Sequence, residues 1–584
     1  MNSKYGWGYC LIGLVILAIC LNFQTFAAAN DSFGDPRAVK GGQLILNTSD
    51  FPKSFNYYVN NAADAGIVFS LLYESLLEMN PTTLEYHPLL AKAWTISEDK
   101  KVFTFKLDPT AKWADGKPVT TADVKFTYDT IMNPKNLTSV QRLFLTRFNP
   151  PQLIDRATVQ FTAKTVHYNN LVTLAGLNIL PKHLFEGKDF NKAFNMSLPQ
   201  GSGPYILSEV KEGRYYVLSR NPRYWAAKLP RHQGMYNFDK IRTKVISDNA
   251  AFEAFKKGDF DIYSGISAKQ WVKDTTGKPF QNNWVVKQKV FNYSPQGFQG
   301  LSFNLRLAKF KDQRVRLAIC HLLDRTTLIE KIMYNQYEPL TSYWPSLYGA
   351  AQANPLIDYN PAKAKQLLNE AGYTRLNKEG YLINANGEPL EFSISYNGED
   401  FERHLTLIKE TCKQAGVKVN LDLVSWPTLL KKLEEYRFDT VMIAWSASLF
   451  PDPEQLWHSK HANEAGGNNL PGYSNREVDR LIESLPPIFD SAKRNEVIKK
   501  IDRLIYQDVP YVLLWGANYN RVLYKNIFGM PKTTFSKYGN GIGDIIAYWW
   551  IDPTKAKRYQ TAIRSGKKLP GVPVEVRYDS VKGK

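Results

Sequence analysis

Two histidines stand three residues apart in the second half of the chain. His458 and His461 would lie on one face of a helix, where both imidazoles could bind a single metal ion. The sequence places no cysteine near them and no second cluster of metal-binding side chains. We therefore interpret them as exposed or structural residues and predict no metal site.

Catalytic motifs do not occur in the sequence. It contains no G-x-S-x-G nucleophile elbow, no H-E-x-x-H zinc motif, no Walker phosphate loop and no C-x-x-C pair. Gly201-Ser-Gly-Pro204 is glycine-rich but lacks the lysine of a phosphate loop, so we predict a turn there. Ser97-Glu-Asp-Lys100 matches S-x-x-K only formally, because it is a charged turn ahead of a strand. We predict no catalytic residues and no cofactor, which favours a binding function.

The first 29 residues have the pattern of a secretory signal peptide. Lys4 precedes an apolar run at 10–21, and Ala27-Ala28-Ala29 places small residues where signal peptidase cleaves. A lipoprotein would use Cys20, but Ile19 stands where that signal needs a small residue. The run is too short for a permanent membrane anchor. We expect cleavage after Ala29 and export to the periplasm.

Two cysteines remain beyond the signal peptide, Cys320 and Cys412. A single disulfide would be possible in an oxidising compartment. Both cysteines, however, stand in apolar patterns with helical spacing. The sequence therefore favours two buried free thiols.

The chain carries a formal net charge of +19. Residues 551–584 contain nine Lys/Arg and three Asp/Glu, which gives this segment a charge of +6. Basic surfaces attract nucleic acid, but an export signal removes most such partners, so no nucleic-acid partner is predicted. A solvated basic face is one interpretation of the tail, and attraction to anionic lipid or to an acidic ligand is the other.

Helices and strands must position any binding residues, and the sequence predicts both throughout. Its 584 residues exceed a single core, so two or three lobes are expected. Residues 62–77 are predicted to be helical, and Thr120 with Asp123 forms a capping box at another helix start. A helix at 402–415 leads into an alternating strand at 417–424, which predicts an α/β lobe.

Short motifs occur in a fixed order along the mature chain. The first are Tyr73-Glu-Ser-Leu-Leu77, His87-Pro-Leu-Leu-Ala-Lys-Ala-Trp94, Ser97-Glu-Asp99, Phe103-Thr-Phe-Lys-Leu107, and Trp113-Ala-Asp-Gly-Lys-Pro118 through Ala122-Asp-Val124. Further pieces are Leu180-Pro-Lys-His183, Gly201-Ser-Gly-Pro-Tyr205, Asn221-Pro-Arg-Tyr-Trp225, Asp312-Gln-Arg-Val-Arg316 and Leu367-Leu-Asn-Glu-Ala-Gly372. The string resembles the family 5 extracellular solute-binding proteins, which are the dipeptide and oligopeptide receptors of ABC importers. The resemblance covers essentially the whole mature chain.

Four further motifs narrow the resemblance. They are Gln299-Gly-Leu-Ser-Phe-Asn-Leu-Arg306, Tyr334-Asn-Gln-Tyr337, Ser448-Leu449 before Glu454-Gln455, and Tyr548-Trp-Trp-Ile-Asp-Pro553. These motifs are similar to those of the YejA-type receptors. Receptors of that type serve importers of peptides and of microcin-C-like peptide–nucleotides.

The resemblance implies an α/β fold of the periplasmic-binding-protein type II class, with two lobes joined by crossing strands. It divides the chain into a signal peptide at 1–29, a first lobe at 30–75 and 196–300, an inserted subdomain at 76–195, a second lobe at 301–518, and a return to the first lobe with a basic tail at 519–584. Ligand would be enclosed when the lobes close about the hinge. Backbone hydrogen bonds would meet the amides of a peptide, so recognition would tolerate different side chains.

The resemblance also implies where the ligand lies. In the dipeptide and oligopeptide receptors, an aspartate shortly after a tryptophan pairs with the ligand's ammonium group. The matching segment here is Trp445–Pro453, with Ser448 at the expected position and Asp452 four residues later. A serine cannot form the charge-assisted bond that an aspartate forms, so a modified, longer or differently oriented ligand is implied. The residues expected to bind ligand are Trp445, Ser446, Ser448, Asp452, Trp426, Asn56, Tyr57, Asn468 and Asn469.

Together these patterns predict a monomeric periplasmic receptor that captures peptides or peptide-like compounds, microcin-C-like ones among them. It would deliver them to the permease and ATPase of an ABC importer, without a chemical reaction. One alternative is a receptor of the same fold for a nickel chelate or another non-peptide solute, for which His458 and His461 would be the discriminating residues. Another alternative is an exported hydrolase or a structural protein of the cell envelope.

Overall fold

The computed structural model describes residues 33–349 and 351–581. The predicted signal peptide at 1–29 therefore lies outside the described residues. Helices and strands are mixed along the chain and form several separate sheets, as expected for the α/β class. Within the described part of the chain, no helix combines the length and the apolar composition needed to cross a bilayer.

The first lobe begins with a four-stranded sheet that we call the N-terminal sheet. Its strands, in spatial order, are Gln43–Thr48, Lys240–Val245, Tyr215–Arg220 and Tyr205–Lys211. The first two strands are parallel, and the remaining pairs are antiparallel. The parallel strands end at the same edge of the sheet, where Thr48 lies opposite Val245.

A second sheet falls in the segment predicted as the inserted subdomain, and we call it the insert sheet. Its strands are Ala91–Ile96, Val102–Leu107, Thr158–Thr162 and Gln152–Leu153, and all pairs are antiparallel. Phe103, Phe105 and Leu107 are buried, as the period-two pattern predicts. The rings of Phe105 and Phe161 pack edge to face, with their centroids 6.2 Å apart.

A third sheet is formed where the chain returns to the first lobe, and we call it the return sheet. Its strands are Ile262–Tyr263, Asn520–Lys525, Val285–Phe291 and Glu575–Arg577. The last of these pairs in parallel with Val285–Phe291. The basic C-terminal segment therefore folds back and adds a strand to the first lobe.

The second lobe is built on a five-stranded sheet. Its strands, in order, are Lys418–Leu423, Glu391–Tyr396, Thr440–Trp445, Phe298–Phe303 and Tyr511–Leu513. The first three are parallel to each other, whereas Phe298–Phe303 is antiparallel to both of its neighbours. Helix Glu402–Gln414 connects two of the parallel strands, as such a crossover requires.

Helices and short strand pairs complete the two lobes. In the first lobe and its insert the helices are Ala63–Leu72, Thr121–Met132, Ser139–Leu145, Asn170–Ala175, Lys182–Phe185, Asp248–Lys257, Lys278–Gln281, Ile542–Tyr548 and Pro553–Ser565. In the second lobe they are Ala308–Lys311, Gln313–His321, Arg325–Thr327, Pro361–Glu370, Glu402–Gln414, Trp426–Glu434, Glu454–Trp457, Arg476–Ser484 and Ser491–Asp508. Short strands pair as Leu77–Met79 with Tyr86–Pro88, Glu338–Pro339 with Trp515–Gly516, Arg375–Leu376 with Leu382–Ile383, and Phe528–Gly529 with Trp550–Ile551.

The predicted capping box is confirmed at the start of helix Thr121–Met132. The Asp123 carboxylate accepts a hydrogen bond from the backbone N–H of Thr120 at 2.8 Å. The helix predicted over 62–77 is shorter, because the chain becomes extended at Tyr73.

A close backbone contact accompanies the end of that helix. A Cβ at Gly201 would lie 1.9 Å from the carbonyl oxygen of Leu72, and one at Gly203 would lie 2.3 Å from that of Leu71. Only glycine permits this approach. The glycine-rich motif thus fixes where helix Ala63–Leu72 ends.

Each lobe has its own hydrophobic core. The first-lobe core joins the N-terminal and insert sheets, and the second-lobe core packs around the five-stranded sheet. Cys320 and Cys412 lie in the second-lobe core, and both thiols are free. Burial raises the pKa of each thiol to about 12. The two buried thiols predicted from the sequence are confirmed.

Candidate binding cleft

Two chain segments cross between the lobes. Residues 292–297 lead from the return sheet to the second-lobe sheet, and residues 514–519 lead back. The backbone N–H of Leu514 donates to Gln299 O at 3.0 Å, and Gln299 Nε2 donates to Trp515 O at 2.8 Å. The two strands that meet these crossings are thus bonded side by side at the connection between the lobes.

The second lobe turns the carboxyl ends of its parallel strands toward this connection. Trp445 ends its strand and pairs with Phe298, the first strand residue after the crossing. Tyr396 and Leu423 end the other two parallel strands and pair with each other. Trp426 follows on the next helix and is 47% exposed. Ligands of α/β sheets bind beyond such carboxyl ends, so Trp445 and Trp426 share the edge where a ligand is expected.

Trp445 is held firmly at this edge. Its Nε1 donates to Tyr511 OH at 3.2 Å, and its side chain is half-buried. A Cβ at Gly297 would lie 1.8 Å from Trp445 O. The first crossing segment therefore packs directly against the predicted ligand segment.

The chain leaves the second-lobe sheet as an irregular loop, residues 446–453, which we call the cleft loop. Ser446 and Ser448 are exposed, and Ser448 Oγ accepts from Phe450 N at 3.1 Å. Asp452 is only partly exposed, and burial raises its pKa. The exposed part of the loop therefore offers hydroxyl groups, while its one carboxylate is desolvated.

The first lobe contains two adjoining cavities, which we call the first-lobe trough. One has a volume of about 70 Å³ and lies near the carboxyl end of strand Gln43–Thr48, where Asn47 and Asp64 line it. The other has a volume of about 460 Å³. Ile67 and Ile546 line both, so the two cavities are neighbours. The larger volume falls within the range of small-molecule sites, roughly 300–1,000 Å³.

A buried carboxylate, Glu74, lines the larger cavity. It accepts hydrogen bonds from Tyr224 OH at 2.6 Å and from Trp225 Nε1 at 2.7 Å. Burial raises its pKa to about 7. Glu74 belongs to the motif Tyr73–Leu77 and its two donors to the motif Asn221–Trp225, so this contact joins two of the motifs that carry the resemblance.

A second carboxylate of the trough, Glu78, is paired with a histidine and an arginine. It accepts from His232 Nε2 at 2.9 Å and forms a salt bridge with Arg231. Burial raises the pKa of Glu78, but the hydrogen bond and charge of His232 and the charge of Arg231 outweigh this, and the pKa lies below its usual value. Glu78 therefore stays ionised while its neighbour Glu74 titrates near neutral pH.

The residues predicted to bind ligand do not line these two cavities. Asn56 is fully buried and its Nδ2 donates to a backbone carbonyl of the insert at 3.2 Å. Asn469 is also fully buried, and its Nδ2 donates to Tyr473 O at 2.9 Å. Tyr57 is half-buried and Asn468 is exposed. The two buried asparagines hold loops in place, and the ligand role of all four residues stays a prediction.

Each histidine of the pair contacts a neighbouring carboxylate. His458 Nε2 lies 3.2 Å from Glu483 Oε1, and His461 is paired with Glu464. The two imidazole centroids are 6.4 Å apart. In residues 33–349 and 351–581, no three or more His, Cys, Asp or Glu side chains come together as a metal-binding group.

Residues 85–467 match the family model described as bacterial extracellular solute-binding proteins, family 5 Middle. The uncharacterized protein YejA of Escherichia coli (strain K12) is 26% identical over 587 residues, which cover 93% of this chain and 94% of YejA. The oligopeptide-binding protein AppA of Bacillus subtilis (strain 168) is 27% identical over 562 residues, which cover 92% of this chain and 97% of AppA.

Solved structures have the same fold. The structure of AppA from Bacillus subtilis in complex with a nonapeptide matches with a TM-score of 0.73 at 24% identity, over 88% of this chain and 100% of AppA. NikZ from Campylobacter jejuni, in complex with Ni(L-His), matches with a TM-score of 0.68 at 22% identity, over 88% of this chain and 98% of NikZ. At such identities the likeness establishes the fold alone, and the predicted two-lobed periplasmic-binding-protein fold is confirmed.

Proposed function

Because the chain belongs to the family 5 bacterial extracellular solute-binding proteins, we propose that it is a periplasmic receptor for peptides or peptide-like compounds. It binds its ligand between the lobes and passes it unchanged to the permease and ATPase of an ABC importer. The receptor acts as a monomer, and its cofactor-free cleft carries out no chemical step.

The observation that carries this proposal is the serine-bearing edge of the second lobe, which lies directly beside the segments that cross between the lobes. The second-lobe edge presents Trp445, Ser446 and Ser448 beside the crossing segments. The first lobe contributes a trough whose larger cavity measures about 460 Å³. Hydroxyl groups next to aromatic rings suit backbone amides and varied side chains, which are the groups that peptides share.

The ligand class that we propose rests on the serine at position 448 of the cleft loop, where the related peptide receptors are expected to carry an aspartate. Ser448 is exposed and supports a local turn through Phe450 N, so it offers no charge to a ligand's ammonium group. A ligand whose amino end is modified, or which runs in the other direction, suits this loop. Microcin-C-like peptide–nucleotides are modified peptides, and we propose them as ligands beside ordinary peptides.

Native mass spectrometry of the mature protein, purified without denaturation, tests the proposal directly. Retained peptides or peptide conjugates of intact mass are expected, because a ligand enclosed between the lobes would survive gentle purification. Small-angle scattering should show compaction when a mixture of synthetic tri- to nonapeptides is added. A protein that retains nothing, gives no calorimetric heat with that mixture and does not compact would refute the receptor role.

A matched pair of variants locates the ligand. Ser446→Trp places a large side chain at an exposed position of the cleft loop, and Ser565→Trp does the same at the exposed end of a first-lobe helix. Both should fold normally, because neither site is buried. Binding should be lost in the first variant and kept in the second, and equal binding by both would place the ligand elsewhere.

The same experiments separate the alternatives. Heat from nickel with histidine, abolished by His458→Ala and His461→Ala together, would indicate a nickel-chelate receptor. Shortened peptides after incubation would indicate a hydrolase. The nickel outcome is not expected, since both histidines are already paired with carboxylates. Shortened peptides are not expected either, because the sequence contains none of the catalytic motifs named above.

A further inference from the structure

Tyr168 of the predicted insert lies inside an aromatic group of the second lobe. Its side chain is 8% exposed and belongs to a buried cluster whose members include Phe298, Tyr343 and Trp457. Arg494 covers the ring, with its guanidinium carbon 4.1 Å from the ring centroid. A side chain from one lobe therefore completes the core of the other.

Two hydrogen bonds fix Tyr168 in this place. Its hydroxyl donates to Pro451 O at 2.7 Å, and its backbone N–H donates to Pro486 O at 2.9 Å. Pro451 is part of the cleft loop, which also carries the serines expected to contact ligand. The contact thus ties the insert to the loop that faces the ligand.

His167 extends the same contact. Its ring stacks on Tyr168 with centroids 4.6 Å apart, and its Nε2 lies 3.7 Å from Asp452 Oδ2. Burial lowers the pKa of His167 to about 4, so the imidazole is neutral at neutral pH. Asp452, predicted as a ligand residue, therefore faces the insert across this junction.

We propose that Tyr168 is a positioning residue that holds the two lobes together and thereby sets how long a ligand is retained. The insert would thus supply a second connection between the lobes, distinct from the crossing segments. Retention of ligand rests on the proposed function, whereas the closing contact forms between parts of the chain itself. The two halves of the proposal can therefore fail separately.

Hydrogen exchange of the Tyr168 amide in the ligand-free mature protein tests the contact, because this N–H is bonded across the junction. Tyr168→Phe keeps the ring and removes one hydrogen bond, so the amide should exchange about fivefold faster. Tyr168→Ala should raise that rate at least about a hundredfold and increase the radius of gyration. Tyr359→Ala, at an exposed tyrosine of the second lobe, should change neither quantity.

Folding of the insert is checked in the same exchange data through strand Val102–Leu107. If amides of this strand exchange faster in the alanine variant, the test of the contact rests on the phenylalanine variant, because that variant retains the buried ring. An unchanged exchange rate at Tyr168 in a folded Tyr168→Phe protein would overturn the proposal.

Ligand retention is measured with trialanine and a mixed-sequence nonapeptide as probes. Dissociation of the bound probe should quicken about fivefold in Tyr168→Phe, while the association rate changes little. Equal dissociation rates in variant and parent would overturn the retention half. If neither probe binds the parent protein in any assay, the receptor role fails, and the closing contact is judged by amide exchange alone.

Discussion

Replacing Glu74 with glutamine removes an ionisable group from the wall of the first-lobe trough. Glu74 is 5% exposed, and its carboxylate accepts hydrogen bonds from Tyr224 OH at 2.6 Å and from Trp225 Nε1 at 2.7 Å. Burial nevertheless raises its pKa from 4.5 to about 7. The folded protein therefore holds a proton on Glu74 at pH values where the unfolded chain has lost it.

The size of the effect follows from linkage. One pKa unit corresponds to about 1.4 kcal/mol, so a rise of roughly 2.5 units is worth about 3 kcal/mol. Because the folded-state pKa is raised, the contribution of Glu74 is fully favourable below pH 4.5 and is lost as the pH rises through 7. Between about pH 5 and pH 8 the expected loss is about 2–3 kcal/mol.

Urea unfolding of the parent protein and of Glu74→Gln between pH 5 and pH 8 measures this contribution. Glutamine does not titrate, so the parent's advantage in free energy of unfolding over the variant should shrink by about 2–3 kcal/mol across the range. Glu98→Gln, at an exposed glutamate, should show no such trend. A Glu74→Gln difference that is constant with pH would refute the view that this carboxyl group is held protonated by burial.

Other expectations rest on single contacts. Gly297→Ala should lower the free energy of unfolding by about 2 kcal/mol, as overpacking does, because the added Cβ would meet Trp445 O at 1.8 Å. Gly541→Ala is the control, because nothing lies within 4 Å of its Cβ. Equal losses of stability in the two variants would contradict the reasoning. The two buried thiols should react with Ellman's reagent only after unfolding, since burial raises their pKa to about 12; labelling of the native protein would disprove this. Helix Pro553–Ser565 should bind the protein to anionic phospholipid vesicles at low salt. Arg558→Glu should then reduce the fraction of protein that sediments with the vesicles. An unchanged fraction would show that the basic segment is only a solvated face.

Local structure was predictable where one period or one cap decides it. In strand Val102–Leu107 the apolar Phe103, Phe105 and Leu107 alternate with Thr104 and Lys106, and the capping box at Thr120 marks a helix start that the structure keeps. The helix predicted over 62–77 ends early because the loop at Gly201 and Gly203 packs on its last carbonyls. That contact joins residues about 130 positions apart, so no local pattern of the helix contains it.

The candidate site was predictable only in its second-lobe half. The Trp445 segment carries a motif, whereas the larger cavity is lined by Ile67, Val172, His232 and Ile546, which no short spacing connects. The sequence feature that came nearest to indicating this cavity was the pair of motifs that meet at Glu74. The role of an asparagine cannot be read from its type for a physical reason: an amide that binds a ligand and an amide that holds a loop use the same donors and acceptors. The domain boundaries drawn from the resemblance likewise stay predictions.

The cleft loop connects these observations. It spans only residues 446–453, yet it carries the exposed Ser446 and Ser448 at one end and the Pro451 carbonyl bonded to Tyr168 at the other. A ligand that orders the serines must also restrict the position of Pro451, because the chain between them is short. We therefore expect ligand binding to lower the entropy cost of the Tyr168 contact, and that contact to favour ligand in return. Ligand binding and the contact between the lobes would then be coupled through the cleft loop. The amide of Tyr168 should therefore exchange more slowly when the cleft is occupied.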